Sequence, residues 1–199
     1  RMYYEGYSLV SIPQLDTRGV TSMYQMFYGC SSLVSIPQLN TSSVTSMLSM
    51  FSRCHSLVSI PQLDTSSVTS MNEMFYECYS LVSIPQLDTS SVTSMNSLFS
   101  NCYSLVSVPQ LDTSNVTGTY NVFNSCNSLT HVNLKNAKLA YQLSTSNLLS
   151  KESLLYLINN EAATSAITIT LAPYAYERLA NDADIVAALA NHPNVSIAQ

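Results

Sequence analysis

Five cysteines stand at Cys30, Cys54, Cys78, Cys102 and Cys126, each 24 residues from the next. Thiols can hold metal, exchange disulfides or attack carbonyls, but each role needs a particular arrangement. There is no C-x-x-C pair, so a zinc site is not indicated. An odd number cannot all pair, and repeating one environment favours one role for all. The favoured reading is a column of buried free thiols behaving as small apolar groups. One or two opportunistic disulfides are the alternative, since stacked neighbours would fall inside the disulfide window of Cα separations.

A second series, Asp16, Asn40, Asp64, Asp88 and Asp112, is followed each time by threonine. Stacked carboxylates are candidates for calcium, which takes about six to eight oxygens. Asn40 would weaken such a site yet serves equally well in a turn whose side-chain oxygen accepts from the backbone two residues on, so the turn is preferred. The three histidines, His55, His131 and His192, have no carboxylate or second histidine at ligand spacing. No H-E-x-x-H, G-x-S-x-G or phosphate-loop motif occurs. Glu73 and Glu77 are a carboxylate pair but read as solvated turn residues, not the walls of a glycosidase. The sequence therefore calls for no catalytic residue, no metal and no cofactor. Asn40, Asn115 and Asn194 form N-x-S/T sequons, read as accidental.

The even spacing of these residues comes from an internal repeat. From Ser8 the chain reads SLVSIPQLDTRGVTSMYQMFYGCS, and further copies begin at Ser32, Ser56, Ser80 and Ser104, 24 residues apart. A sixth starts at Ser128 as SLTHVNL and then departs. The opening RMYYEGY aligns with EMFYECY at 73–79, so the chain begins in mid-repeat and reads as a trimmed or processed piece. Its first coil would lack a lid, and weak self-association through that uncapped N-terminal coil is expected.

A unit this short cannot bury a core alone, so neighbours must stack. Leu9, Val10, Ile12, Leu15, Val20, Met26, Phe27 and Cys30 occupy the positions that stay apolar and are read as the inward set. Pro13 cannot donate to a ladder and should end the first strand. Val20–Met23 reads as a second short strand, and Met26, Phe27 and Cys30 as a tight or helical turn. Phe27, Phe51, Phe75, Phe99 and Phe123 should form an internal column. In the fifth copy Val108, Gly118, Thr119 and Val122 depart from the pattern, as in an approach to a cap.

Beyond residue 134 the rhythm changes, and alanine, absent from the first 136 residues, becomes frequent. Strands are expected at 139–143, 167–171 and from Val195, with helices at 151–160, capped by Ser150, and at 182–190. The organisation is thus 1–134 repeats and 135–199 α/β capping coils continuous with them.

Composition agrees. The 199 residues are 46% apolar but only 10% charged, far below the usual quarter. No stretch approaches the roughly 18 unbroken apolar residues of a spanning helix, so no transmembrane segment is expected. A net charge of −5 with seven Lys and Arg leaves no basic stripe, which argues against a nucleic-acid partner.

The unit L-x-x-I-P-x-L-D-T-S-x-V-T-S-M-x-x-M-F-x-x-C resembles the BspA-type leucine-rich repeat of bacterial surface proteins. The resemblance implies a right-handed leucine-rich-repeat solenoid of short parallel strands with tight or helical turns, closed by the C-terminal coils. It also implies a secreted or cell-surface location, adhesion or host contact, and no catalytic residues.

Differences among the copies point to where binding would occur. Repeat positions 17, 18, 21, 22 and 24 vary freely, carrying Tyr24, Gln25, Tyr28 and Gly29 in one copy and Leu48, Arg53 and His55 in the next. Tyr24, Tyr28, Tyr76, Tyr79, Tyr103 and Tyr120 fall at these positions and are the candidate ligand-binding residues, because tyrosine offers contact area at little entropic cost. The expected partner is a protein or a glycan, and the alternative is a structural spacer whose binding lies in upstream sequence.

Overall fold

A computed structural model describes residues 2–137, 141–159 and 166–199. Successive copies of the repeat lie directly on one another. Parallel bridges link Ser22 to Ser46, Ser46 to Ser70, Ser70 to Ser94 and Ser94 to Gly118. Around this rail the backbone bonds run both ways between coils. Thr45 N–H donates back to Thr21 at 2.9 Å, while Met23 N–H donates forward to Ser46 at 2.9 Å. Short β-branched runs favour this extended pairing.

Each coil then turns sharply. Met26 N–H bonds Met23 C=O, and Cys30 N–H bonds Phe27 C=O, closing three-residue turns. Between them Gln25, Phe27 and Gly29 donate to Leu48, Met50 and Ser52 of the next coil at 2.8–3.0 Å. The backbone of the turn is therefore paired with the neighbouring coil as well as with itself, which satisfies groups that burial would otherwise leave costly.

The core follows the repeat. In the second copy Leu33, Ile36, Leu39, Val44, Met47, Met50, Phe51 and Cys54 are all buried. The phenylalanine column forms as expected: Phe27, Phe51, Phe75, Phe99 and Phe123 stack nearly parallel at 5.5–5.9 Å, and Tyr3 extends the column at 5.7 Å from Phe27. The cysteines form a second column of free, buried thiols. Cys54, Cys78, Cys102 and Cys126 each donate at 3.1 Å to the carbonyl of the phenylalanine 27 residues earlier. Burial pushes these thiols up, Cys126 to about 12.

Two expectations for the repeat are corrected. Val10 does not face the core. It is 59% exposed, and its equivalents Val34, Val58, Val82 and Val106 are 41–44% exposed. Neighbours in an extended segment point to opposite faces, so once Leu9 turns inward Val10 must turn out. Proline also does not end the first strand where that strand is regular. In the fifth copy β1, Ser107–Asp112, runs through Pro109 and pairs in parallel with β2, His131–Lys135. The register slips between Val108 and Leu111, so β1 accommodates the proline with an extra residue, as a bulge does.

The tail carries β3 at Gln142–Leu143, α1 at Lys151–Asn159 and β4 at Ile167–Leu171. It continues through α2 at Pro173–Leu179, α3 at Ala183–Asn191 and β5 at Val195–Ala198. Strands β3, β4 and β5 form a parallel sheet in that order. The parts of the expected strand and helix at 139–140 and Asn160 lie outside the described residues. Ser150 caps α1 as expected, its Oγ accepting from Ser153 N–H at 3.1 Å. Ser153 Oγ in turn accepts from Val132 N–H at 3.0 Å and ties α1 to β2. Asp182 caps α3, and Lys151 bridges Asp182 and Asp184 at 2.9 and 2.6 Å, joining α1 to α3. Helix α2 was not anticipated; its signal is Pro173 at the first turn, where a missing N–H costs nothing.

Candidate functional site

The variable positions lie on one turn of each coil, and stacking converts them into columns. At positions 18 and 22 the backbone is left-handed. Gln25, Ser49, Glu73, Ser97 and Asn121 have φ of 51–56°, and Gly29, Arg53, Glu77, Asn101 and Ser125 have φ of 59–72°. Side chains there pay a steric penalty of roughly 1–2 kcal/mol, offset by the forward bonds their N–H groups make, such as Arg53 N–H to Tyr76 at 2.7 Å. The sequence held this signal: both positions vary, yet neither ever carries a β-branched residue.

Position 24 forms the most continuous surface. His55 and Tyr79 lie 4.4 Å apart and 3° from parallel, and Tyr103 follows Tyr79 at 5.0 Å. Tyr79 is half-buried, whereas Tyr103 is 43% exposed. Position 21 holds a shorter stack, Tyr4 on Tyr28 at 5.1 Å, and the Arg53 guanidinium sits 5.6 Å from the Tyr28 ring. Tyr76 shares position 21 with Tyr28, and serine fills the intervening copy.

Tyr24 and Tyr120 share position 17, but residues 48, 72 and 96 between them are Leu, Asn and Asn. The six candidates therefore occupy three columns, and only Tyr79 and Tyr103 stack on each other. Tyr120 is the most exposed at 71%, whereas Tyr24, Tyr28 and Tyr76 are half-buried.

Charged groups join the columns where the sequence suggested only solvated turns. Glu77 is half-buried; its carboxylate lies 3.4 Å from Arg53 Nε and 3.8 Å from His55 Nε2. A hydrogen bond to Glu77, and then partial burial, push the Tyr76 phenol up. Partial burial, and then the Glu77 charge, do the same to Tyr79. Both phenols are kept as neutral hydrogen-bond donors. Glu73 is exposed and accepts from Ser49 Oγ at 3.1 Å.

A depression of about 280 Å³ opens beside this cluster, lined by Glu5, Tyr7, Tyr28, Gly29, Ser31, Arg53, His55 and Glu77. A larger trough of about 480 Å³ lies elsewhere, between the Gln62–Gln110 and Asp64–Asp112 rows. Its side chains are committed to structure. The Gln62 and Gln86 amides each donate to the carbonyl of the next coil's glutamine at 2.6 Å, and the Gln110 amide donates to the Tyr156 hydroxyl. Asp64 Oδ1 accepts from Ser66 N–H and Oγ at 3.1 and 2.7 Å, and Asn40 makes the same turn. The Asx reading of that series is what the structure contains. Among the described residues no group of three or more His, Cys, Asp or Glu could hold a metal ion. Among them, too, no helix is long and apolar enough to cross a membrane.

This architecture is of the leucine-rich-repeat kind. The crystal structure of the T. pallidum leucine-rich repeat protein TpLRR matches it with a TM-score of 0.60 at 21% identity, over 94% of this chain and 85% of that one. At that identity the likeness concerns the fold alone. The chain belongs to the family described as Mycoplasma protein of unknown function, DUF285, which matches residues 2–102 and 57–154. No curated protein matches the sequence.

Proposed function

We propose that the chain is a non-enzymatic binding module, a right-handed leucine-rich-repeat solenoid displayed at a cell surface, with residues 1–134 supplying the binding face and 135–199 closing it. Its partner is a protein or a glycan, contacted through Tyr24, Tyr28, Tyr76, Tyr79, Tyr103 and Tyr120. One observation carries the reading: residues that differ between copies gather on a single turn edge, while those that set the core hardly change. Paired backbone holds that edge in place, so binding orders little that is not already ordered. Repetition then multiplies weak contacts along the edge.

The test is the Y76S/Y79S/Y103S variant, measured for binding to host cells and glycan arrays. Loss of binding with an unchanged circular dichroism spectrum and melting temperature is expected. Unchanged binding would return the domain to the role of a spacer.

A further inference from the structure

The position-24 ladder has a missing rung. Tyr7, Ser31, His55, Tyr79, Tyr103 and Asn127 occupy that position in successive coils, and between Tyr7 and Tyr103 rings fill every level except that of Ser31. The rungs that are present stack at 4.4 and 5.0 Å. Omitting one therefore leaves about 10 Å between the levels of Tyr7 and His55, two strand spacings. That height admits one ring between two others. The same coil is truncated a second time at Gly29, where other copies carry Arg53, Glu77, Asn101 or Ser125. A Cβ on Gly29 would come 3.2 Å from Glu5 Cγ and 3.6 Å from the Tyr7 ring, so even one carbon would crowd the floor. Gly29 and Ser31 both line the 280 Å³ depression.

Resting on the binding role proposed above, we propose that this slot takes a single neutral pyranose ring of a glycan, held flat between the Tyr7 and His55 levels. A pyranose presents C–H faces above and below and hydroxyls around its edge, and the slot has the complementary layout. Aromatic groups bound it at two levels, while Glu5, Glu77, Arg53 and Ser31 stand at its sides. The carboxylates accept from hydroxyls and Arg53 donates to them. Two carboxylates against one guanidinium disfavour an anionic sugar. An aromatic peptide side chain would bring an apolar edge against the same charged groups and offer no hydrogen bonds in place of the water it displaces.

The experiment is saturation-transfer NMR on the full chain with methyl glucoside, galactoside and mannoside, and with p-cresol standing for a tyrosine side chain. At least one glycoside should bind saturably, with a dissociation constant on the order of millimolar, about what one ring supplies. S31Y should fill the slot and weaken binding at least tenfold. The stacking of Tyr79 between His55 and Tyr103 is the precedent for its fold. H55S, which places at residue 55 the serine already tolerated at residue 31, should remove one wall with a similar loss.

Three outcomes overturn the proposal: no glycoside binds, both folded variants bind as tightly as the natural chain, or p-cresol binds in preference. Any of these can occur while Y76S/Y79S/Y103S still abolishes partner binding. Failure of the slot is thus distinguishable from failure of the binding role.

Discussion

The imidazole of His55 lies flat on the ring of Tyr79, with centroids 4.4 Å apart, and its edge faces the Glu77 carboxylate of the same neighbouring coil. Residues 24 apart in the chain thus act as immediate neighbours. Stacked aromatic pairs contribute about 0.5–1.5 kcal/mol beyond area burial. A double-mutant cycle with H55S and Y79S, followed by urea unfolding, should give a coupling energy in that range. Additive single effects would mean that the stack is contact without energetic consequence.

The phenylalanine column should be far more sensitive. Phe75 is fully buried, with Phe51 at 5.7 Å and Phe99 at 5.6 Å. F75A removes a central layer that both neighbouring coils pack against, and should cost about 3–5 kcal/mol. Because each coil contacts chiefly its neighbours, the loss can also split unfolding into two transitions. A denaturant midpoint within error of the natural chain would contradict this packing.

The thiols should be inert until the chain opens. Cys54, Cys78, Cys102 and Cys126 are buried beneath neighbouring coils, and burial pushes each thiol up, away from the reactive thiolate. A thiol reagent at neutral pH should label none of these four in the native state and all of them in denaturant. Cys30, whose thiol is less deeply enclosed than the other four, should be the first to react. Rapid native labelling of Cys78 would refute the order.

What was legible in the sequence was whatever the repeat enforces. Phe27 and Cys30 recur because each needs the same partner one coil away, so identity at fixed spacing is enough to reveal the column. Asp64 could be assigned to a turn because Asn40 substitutes for it. Val10 was misread because apolarity alone does not say which face of an extended segment a residue occupies. Glu77 was missed for a different reason: its partners Arg53 and His55 sit in the preceding copy, and pairing between copies depends on how the turns align. Helix α2 was hidden by its short length, with Pro173 its one clear signal.

Acid should destabilise the chain through the Asx turns. The Ser66 hydroxyl and then its N–H hold the Asp64 carboxyl below its ordinary value of 3.8, and Ser90 does the same for Asp88. A depressed native pKa means that the folded chain binds this proton less readily than the unfolded chain. The resulting stability is present above about pH 4 and is lost as pH falls through the lower native values. Melting temperature should drop in that window. D64N/D88N should shrink the drop, since Asn40 already closes the same turn through Ser42 N–H at 3.2 Å and Ser42 Oγ at 2.8 Å. Asp16 and Asp112 still titrate in that variant, so a residual slope is expected. An undiminished slope would assign acid sensitivity elsewhere.

Gly118 offers the opposite kind of change, a gain. It occupies the position held by Ser22, Ser46, Ser70 and Ser94, on the bridge ladder between coils. One coil earlier, Ser94 Oγ donates to Asn72 Oδ1 at 2.6 Å while Asn96 N–H donates to the same oxygen at 2.8 Å. At Gly118 half of that pattern survives: Tyr120 N–H donates to Asn96 Oδ1 at 2.9 Å. A Cβ added there would stand 3.0 Å from the Asn96 amide and Ser94 Oγ, tight contacts with side-chain ends that can move by a few tenths of an ångström. The Asn72 site shows a geometry in which the asparagine and the serine fit together. G118S should therefore restore the missing donor and restrict the unfolded chain, raising stability by about 0.5–1 kcal/mol. The urea midpoint checks this directly. A fall in the midpoint would mean that Asn96 is held too firmly to yield, and that the fifth copy departs from the repeat because its packing demands a glycine.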